Sequence, residues 1–125
     1  MINSIKIEGK EDTPMVIFDP DNNLFEISGR SLPEDAVLFY DPILAWLTEY
    51  SRNPNTKTEM HIKLNYFNTA SSKLILDILM ILEDMVENGK DCIIKWYYEV
   101  DDEDMEEAGE EYSELIDVPF EVLQY

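Results

Sequence analysis

EMHIKLNYFNTASSKLILDILMILEDMVEN, residues 59–88, changes its hydrophobic period halfway along, and that change decides the fold. At first His61, Lys63 and Asn65 alternate with Ile62, Leu64 and Tyr66, the period of a strand. The pattern breaks at Phe67-Asn68-Thr69. From there Ile75, Ile78, Leu79, Leu82, Met85 and Val86 recur at helical spacing. Strand, tight turn and helix follow one another. The turn sets Asn68, Thr69, Ser71 and Ser72 at a helix start, where small polar side chains accept hydrogen bonds from unpaired backbone N–H groups. A hydroxyl there can serve only as a cap. A phosphoryl group would also be well tolerated, because a helix N-terminus carries partial positive charge and free donors.

Working outward, Met15–Phe18 and Leu24–Ser28 are apolar runs separated by Asp19-Pro20-Asp21-Asn22-Asn23, which reads as a hairpin. Asp19, Asp21 and Asn23 imitate the start of a calcium loop, but Leu24 replaces its glycine and Arg30 its bidentate glutamate. A plain turn is the better reading. Ser31-Leu32-Pro33-Glu34 has the form of a capping box, followed at roughly helical spacing by Val37, Tyr40, Ile43, Leu44, Trp46, Leu47 and Tyr50. Pro42 predicts a kink or a change of segment inside that helix. Beyond the central helix, Asn88-Gly89 is a stop signal, Cys92–Tyr98 a strand, Asp101–Leu115 a third helix and Val118–Leu123 a last strand. The expected fold is α/β: a single domain over residues 1–125, a mixed sheet with helices packed mainly on one face.

Acidic residues number 28 against 9 basic ones, and the net charge of −19 repels a phosphate backbone, so nucleic acid is excluded as a direct partner. The run DDEDMEEAGEE at Asp101–Glu111 reads as a solvated helix face, since apolar residues resume at Tyr112. Cys92 is the only cysteine, which suits a reducing compartment, and it reads as a small core residue. No stretch has the length of a signal peptide or a bilayer span. The expectation is a cytoplasmic protein without membrane insertion.

Catalysis has little to work with. His61 is a lone strand histidine, and the sequence carries no nucleophile elbow, phosphate loop or Cys/His cluster, so no cofactor, no metal and no catalytic residue is expected. Leu76 and Met80 stand out more. They fall opposite the core stripe of their helix, together with Lys73 and near the projection of Thr69. Wheel geometry leaves two readings open: cover by another element of the same domain, or an exposed patch that binds a partner.

LNYFNTASSKLILDIL, with LPEDAVLFYDPILAWLTEY upstream and IIKWYYEVDDEDMEEAGEEY then VPF downstream, resembles the SiaC family of regulatory phosphoproteins over nearly the whole chain. YFNTASSK and the run Trp96-Tyr97-Tyr98 are its most specific parts. That family is similar in fold to the STAS class of anti-sigma-factor antagonists. The resemblance implies a partner switch in cyclic di-GMP signalling: a Ser/Thr kinase phosphorylates a threonine, a PP2C-like phosphatase removes the phosphate, and the unmodified protein binds and activates a diguanylate cyclase. The family's acceptor falls on Thr69; Ala70 after it and Phe67 before the asparagine vary on the family pattern and leave the acceptor intact. The partner surface expected around it comprises Asn68, Thr69, Ser71, Ser72, Lys73, Leu76 and Met80. Two other classes compete. One is a constitutive STAS-like scaffold, with no phosphate on Thr69; the other is a small acidic metal-dependent enzyme, with converging carboxylates.

Overall fold

The computed structural model describes residues 3–125. In chain order the described residues form β1 (Ile5–Ile7), β2 (Met15–Asp19), β3 (Leu24–Ser31), α1 (Ala36–Ser51), β4 (Lys57–Phe67), α2 (Thr69–Glu87), β5 (Asp91–Tyr98), α3 (Glu103–Leu115) and β6 (Phe120–Gln124). The strands lie side by side in that same order. β1, β2 and β3 pair antiparallel, while β3 to β6 are parallel neighbours joined through the helices. Each crossover steps one place in the same direction, and with the usual right-handed connection all three helices come to lie on one face.

Strand alternation matches this arrangement. Val16, Phe18, Phe25, Ile27, Met60, Ile62, Ile94 and Trp96 point to the helix side and are essentially inaccessible. They merge into one core with Tyr40, Ile43 and Leu47 of α1, Ile75, Ile78 and Leu82 of α2, and Met105 and Tyr112 of α3. The other face is polar. Lys95 pairs with Glu59 and holds that carboxyl below its usual range. His61 Nδ1 lies 2.8 Å from the Tyr97 hydroxyl, and Lys63 Nζ sits 5.2 and 4.8 Å from the ring centres of Tyr97 and Tyr125.

The α/β class, the mixed sheet and the one-sided helices agree with expectation, and the β2–β3 turn is a turn, with Asp19 accepting from the Asn22 amide at 2.7 Å. Four readings need correction. β1 is an additional edge strand whose Ile5 and Ile7 pack against the core. Ser31 does not cap α1: β3 continues in register with Phe67 as far as Ser31, which leaves Asp35 as the cap, its Oδ1 accepting from Leu38 N at 3.1 Å. α1 runs through Pro42 as one helix, so of the two expectations there the change of segment does not occur. A mid-helix proline costs about 3 kcal/mol, but here the burial of Ala36, Tyr40, Ile43, Leu47 and Tyr50 on one stripe outweighs it. Val37 belongs outside that stripe and is 66% exposed.

α3 is anchored by unusual closeness. Its Gly109 lies against Trp96, where an added Cβ would stand 2.5 Å from Cδ1, and Trp96 Nε1 donates to the Met105 carbonyl at 3.0 Å. A helix with acidic residues over most of its surface thus keeps contact mainly through Met105, Gly109 and Tyr112, with Ala108 partly buried beside them.

Candidate functional site

All three helices start at the edge of the sheet where the parallel strands end, and the turn between β4 and α2 lies at that edge. Just before it, the β3–β4 register slips: Gly29 pairs with Leu64 but Arg30 pairs with Tyr66, so Asn65 is an extra residue, a β-bulge. The bulge resets the alternation. Leu64 and Phe67 both reach inward, Phe67 against Trp96 and Tyr112, while Tyr66 turns out to 47% exposure under the Arg30 guanidinium.

Asn68 then caps α2. Its backbone is extended, its Oδ1 accepts from Ser71 N at 2.8 Å, and its carbonyl accepts from Ser72 N at 3.0 Å. Thr69 is the first helical residue and is exposed, as is Ala70. Among the hydrogen bonds of the described residues none uses the Thr69 hydroxyl, and the N–H groups of Thr69 and Ala70 precede the first intrahelical bond.

The neighbouring hydroxyls are occupied. Ser71 is fully buried: its Oγ receives the Ser31 hydroxyl at 2.9 Å and donates to the Ser31 carbonyl at 3.1 Å. Since Ser31 has a single hydroxyl proton, the 2.5 Å contact with the Tyr40 hydroxyl must be donated by the tyrosine. The chain of donation runs from α1 through the end of β3 into the first turn of α2. Burial raises the Tyr40 phenol above its ordinary pKa, against the lowering effect of Ser31 and Ser71. Ser72 is half-buried, donates its hydroxyl to the Thr69 carbonyl at 2.6 Å, and accepts the Tyr112 hydroxyl on its own carbonyl at 2.8 Å. Three elements therefore clamp the turn that presents Thr69.

The expected site residues separate by position. Asn68, Thr69, Ser72 and Lys73 come together at the start of α2, with Lys73 exposed one turn beyond Thr69. Ser71 is corrected from surface to support, since nothing outside can touch it. Leu76 is half-buried and packed against the core, whereas Met80 is 48% exposed. Sequence reasoning missed Ser31, Tyr40 and Tyr112 as parts of this site. Tyr40 and Tyr112 carry no signal beyond apolar periodicity, and Ser31 looked like a cap.

A shallow cleft of about 260 Å³ lined by Asn65, Tyr66, Phe67, Asp102, Asp104 and Met105 adjoins the turn. A larger groove, about 720 Å³, lies at the opposite end of the sheet around Asn53–Asn55, far from Thr69. We place the site at the turn, because the charged pair lining the larger groove, Arg52 with Glu49, is only an exposed i,i+3 contact. Among the described residues no group of three His, Cys, Asp or Glu side chains converges to hold a metal, and no helix is long and apolar enough to cross a membrane.

A family model described as SiaC family regulatory phosphoprotein matches residues 7–125. An uncharacterised protein of Pseudomonas aeruginosa (strain UCBPP-PA14) is 26% identical over 121 residues, spanning 97% of this chain and 96% of that protein. The structure of SiaC of Pseudomonas aeruginosa is similar with a TM-score of 0.91 at 25% identity, covering 99% of this chain and all of the other. A chain in the crystal structure of the diguanylate cyclase SiaD in complex with its activator SiaC, from the same organism, is similar at TM-score 0.91 and 26% identity, covering 97% and 99%.

Proposed function

The chain belongs to the SiaC family of regulatory phosphoproteins and is not itself an enzyme, and on that footing we propose that it is a partner switch for a diguanylate cyclase. In this reading the unphosphorylated protein binds and activates the cyclase in the cytoplasm. A Ser/Thr kinase adds phosphate to Thr69 and a PP2C-like phosphatase removes it. The partner surface is centred on Thr69 and includes Asn68, Ser72, Lys73 and Met80, with Leu76 at its border and Ser71 beneath it.

One observation carries the proposal: the Thr69 hydroxyl is exposed and unbonded at the first residue of α2, while its neighbours Ser71 and Ser72 are engaged. Phosphate adds about −1.5 to −2 charges. On a chain already at −19 this hardly alters the global field, so the effect is local. Free in solution, the dianion is met by the N–H groups of Thr69 and Ala70 and by Lys73, four residues on. Buried against an apolar partner it must lose water, at a cost of several kcal/mol, and each ~1.4 kcal/mol is tenfold in affinity. A hundredfold loss of binding then needs no change of fold.

Calorimetric titration with the diguanylate cyclase of the native host tests this. Wild type and Thr69→Ala should bind alike, while Thr69→Asp and the phosphorylated protein bind at least tenfold more weakly. Equal binding by all four forms would make the protein a constitutive scaffold.

A further inference from the structure

Exposed apolar residues on α1 extend the same end of the molecule. Val37 and Leu38, in its first turn, are 66% and 72% exposed, and Pro42, one turn on, is exposed as well. α1 and α2 pack side by side and run in the same direction, both starting where parallel strands end. The Tyr40–Ser31–Ser71 bonds tie their first turns together. One flank of α1 carries Trp46, which packs on Phe18 and Phe25 of β2 and β3, so that flank faces the β1 edge. Val37 lies on the opposite flank, about 100° around from Ala36, and therefore on the side of α2 and Thr69.

Two features state what would cover these residues. The border around α1 is acidic: Glu34, Asp35 and Asp41 are exposed there and Asp77 is half-exposed on α2, while the bases near the turn are Lys73 and, over Tyr66 at the end of β3, Arg30. Pro42 has no N–H to give to the Leu38 carbonyl, which leaves a helix acceptor open at the solvent face of α1. A cationic donor answers both.

Resting on the partner-switch reading above, we propose that Val37 and Leu38 form one docking surface with the Thr69 turn, and that the cyclase face seated on it is apolar and bordered by lysine or arginine. The apolar centre supplies affinity through burial, and the acidic border supplies orientation and salt-sensitive attraction.

The test is calorimetric titration of the full chain with its host's cyclase, using wild type, Val37→Gln, Leu38→Gln and Asp41→Lys, with circular-dichroism melts to check folding. These side chains are exposed, so the melts should match wild type. Each glutamine variant should weaken binding at least fivefold. Asp41→Lys should weaken it at least threefold and flatten its dependence on salt, and wild-type affinity should fall between 50 and 500 mM salt. If wild type binds and both glutamine variants bind within twofold of it, the surface is elsewhere. If wild-type affinity is indifferent to salt, the basic border is wrong. If wild type does not bind the cyclase at all, the partner-switch reading has failed and this surface falls with it. Should one glutamine variant melt early, the other decides.

Discussion

Replacing Ser31 with alanine should loosen the turn that carries Thr69 although the two residues share no direct contact. Ser31 occupies the middle of a buried chain in which the Tyr40 hydroxyl donates to Ser31 and Ser31 donates to Ser71. Removing it strands the phenolic proton of Tyr40 and takes a donor from Ser71, both in surroundings without exposure. A buried donor left without a partner costs about 1–3 kcal/mol, and Ser71 stands near enough to recover part of that loss, so we expect about 2 kcal/mol for Ser31→Ala. Tyr40→Phe removes a donor and leaves only a spare lone pair on Ser31, a loss of about 1 kcal/mol. For a chain of this length each kcal/mol lowers Tm by about 3–5 °C. Urea unfolding at pH 7 with linear extrapolation measures both losses, and the Ser31→Ala/Tyr40→Phe double variant should lose less than the sum. Hydrogen exchange at Ser71–Lys73 should rise in parallel. Additive losses, or a Ser31→Ala protein within 0.3 kcal/mol of wild type on this ~1 kcal/mol scale, would refute the chain of donation and with it the coupling of α1 to the Thr69 turn.

Phosphopeptide mapping from the native host should find modification on Thr69 and none on Ser71, whose burial bars a kinase; phosphate on Ser71 would contradict the packing. Gly109→Ala gains about 1 kcal/mol in helix propensity yet should lower Tm, because the new methyl would stand 2.5 Å from an indole that is already fixed by its bond to Met105. A raised Tm would show that α3 can shift. Burial pushes the Cys92 thiol up to about 12 from 9.0, so above pH 9 the unfolded chain releases a proton that the folded one retains. Stability should then fall as pH rises from 9 toward 12, by at most about 1.4 kcal/mol per pH unit from this group, and Cys92→Ala should flatten the first part of that fall. Met80→Glu should leave the melt within a degree or two of wild type while weakening cyclase binding. Leu76→Asp, by contrast, should lower Tm because Leu76 packs on the core, so equal melts for the two would place Leu76 in solvent.

The elements around Thr69 were legible because their signals are local. A change of period from two to 3.6, an asparagine able to cap and a run of small polar residues all lie within a few positions, and α2 begins at Thr69. The signals that failed depend on distant chain. Ser31-Leu32-Pro33-Glu34 satisfies the capping pattern, but pairing with β4 and the Tyr40 hydroxyl hold Ser31 in the sheet. Val37 fits a loose apolar period, yet 100° of rotation from the stripe places it outside. The bulge at Asn65 has no mark in β4 itself, since it arises from how Gly29 and Arg30 meet that strand. Ile5–Ile7 is too short to stand out, and only an adjacent strand makes it one. Leu76 and Met80 look equivalent on a wheel, and only the packing of the assembled layer tells them apart.

Because spatial order in the sheet follows chain order, no strand waits for a partner encoded beyond its immediate successor. Assembly can therefore advance from the β1–β2–β3 meander toward β6, closing at each step a loop no longer than one helix and its turns. The β4–β5 pair and α2 complete the Thr69 turn before α3 and β6 are needed, whereas the Tyr112 bond to Ser72 arrives only with α3. During synthesis, a threonine already at its helix start would stand unclamped on one side until Tyr112 of α3 has emerged. A kinase acting on the nascent chain would meet a looser substrate than one acting on the finished protein.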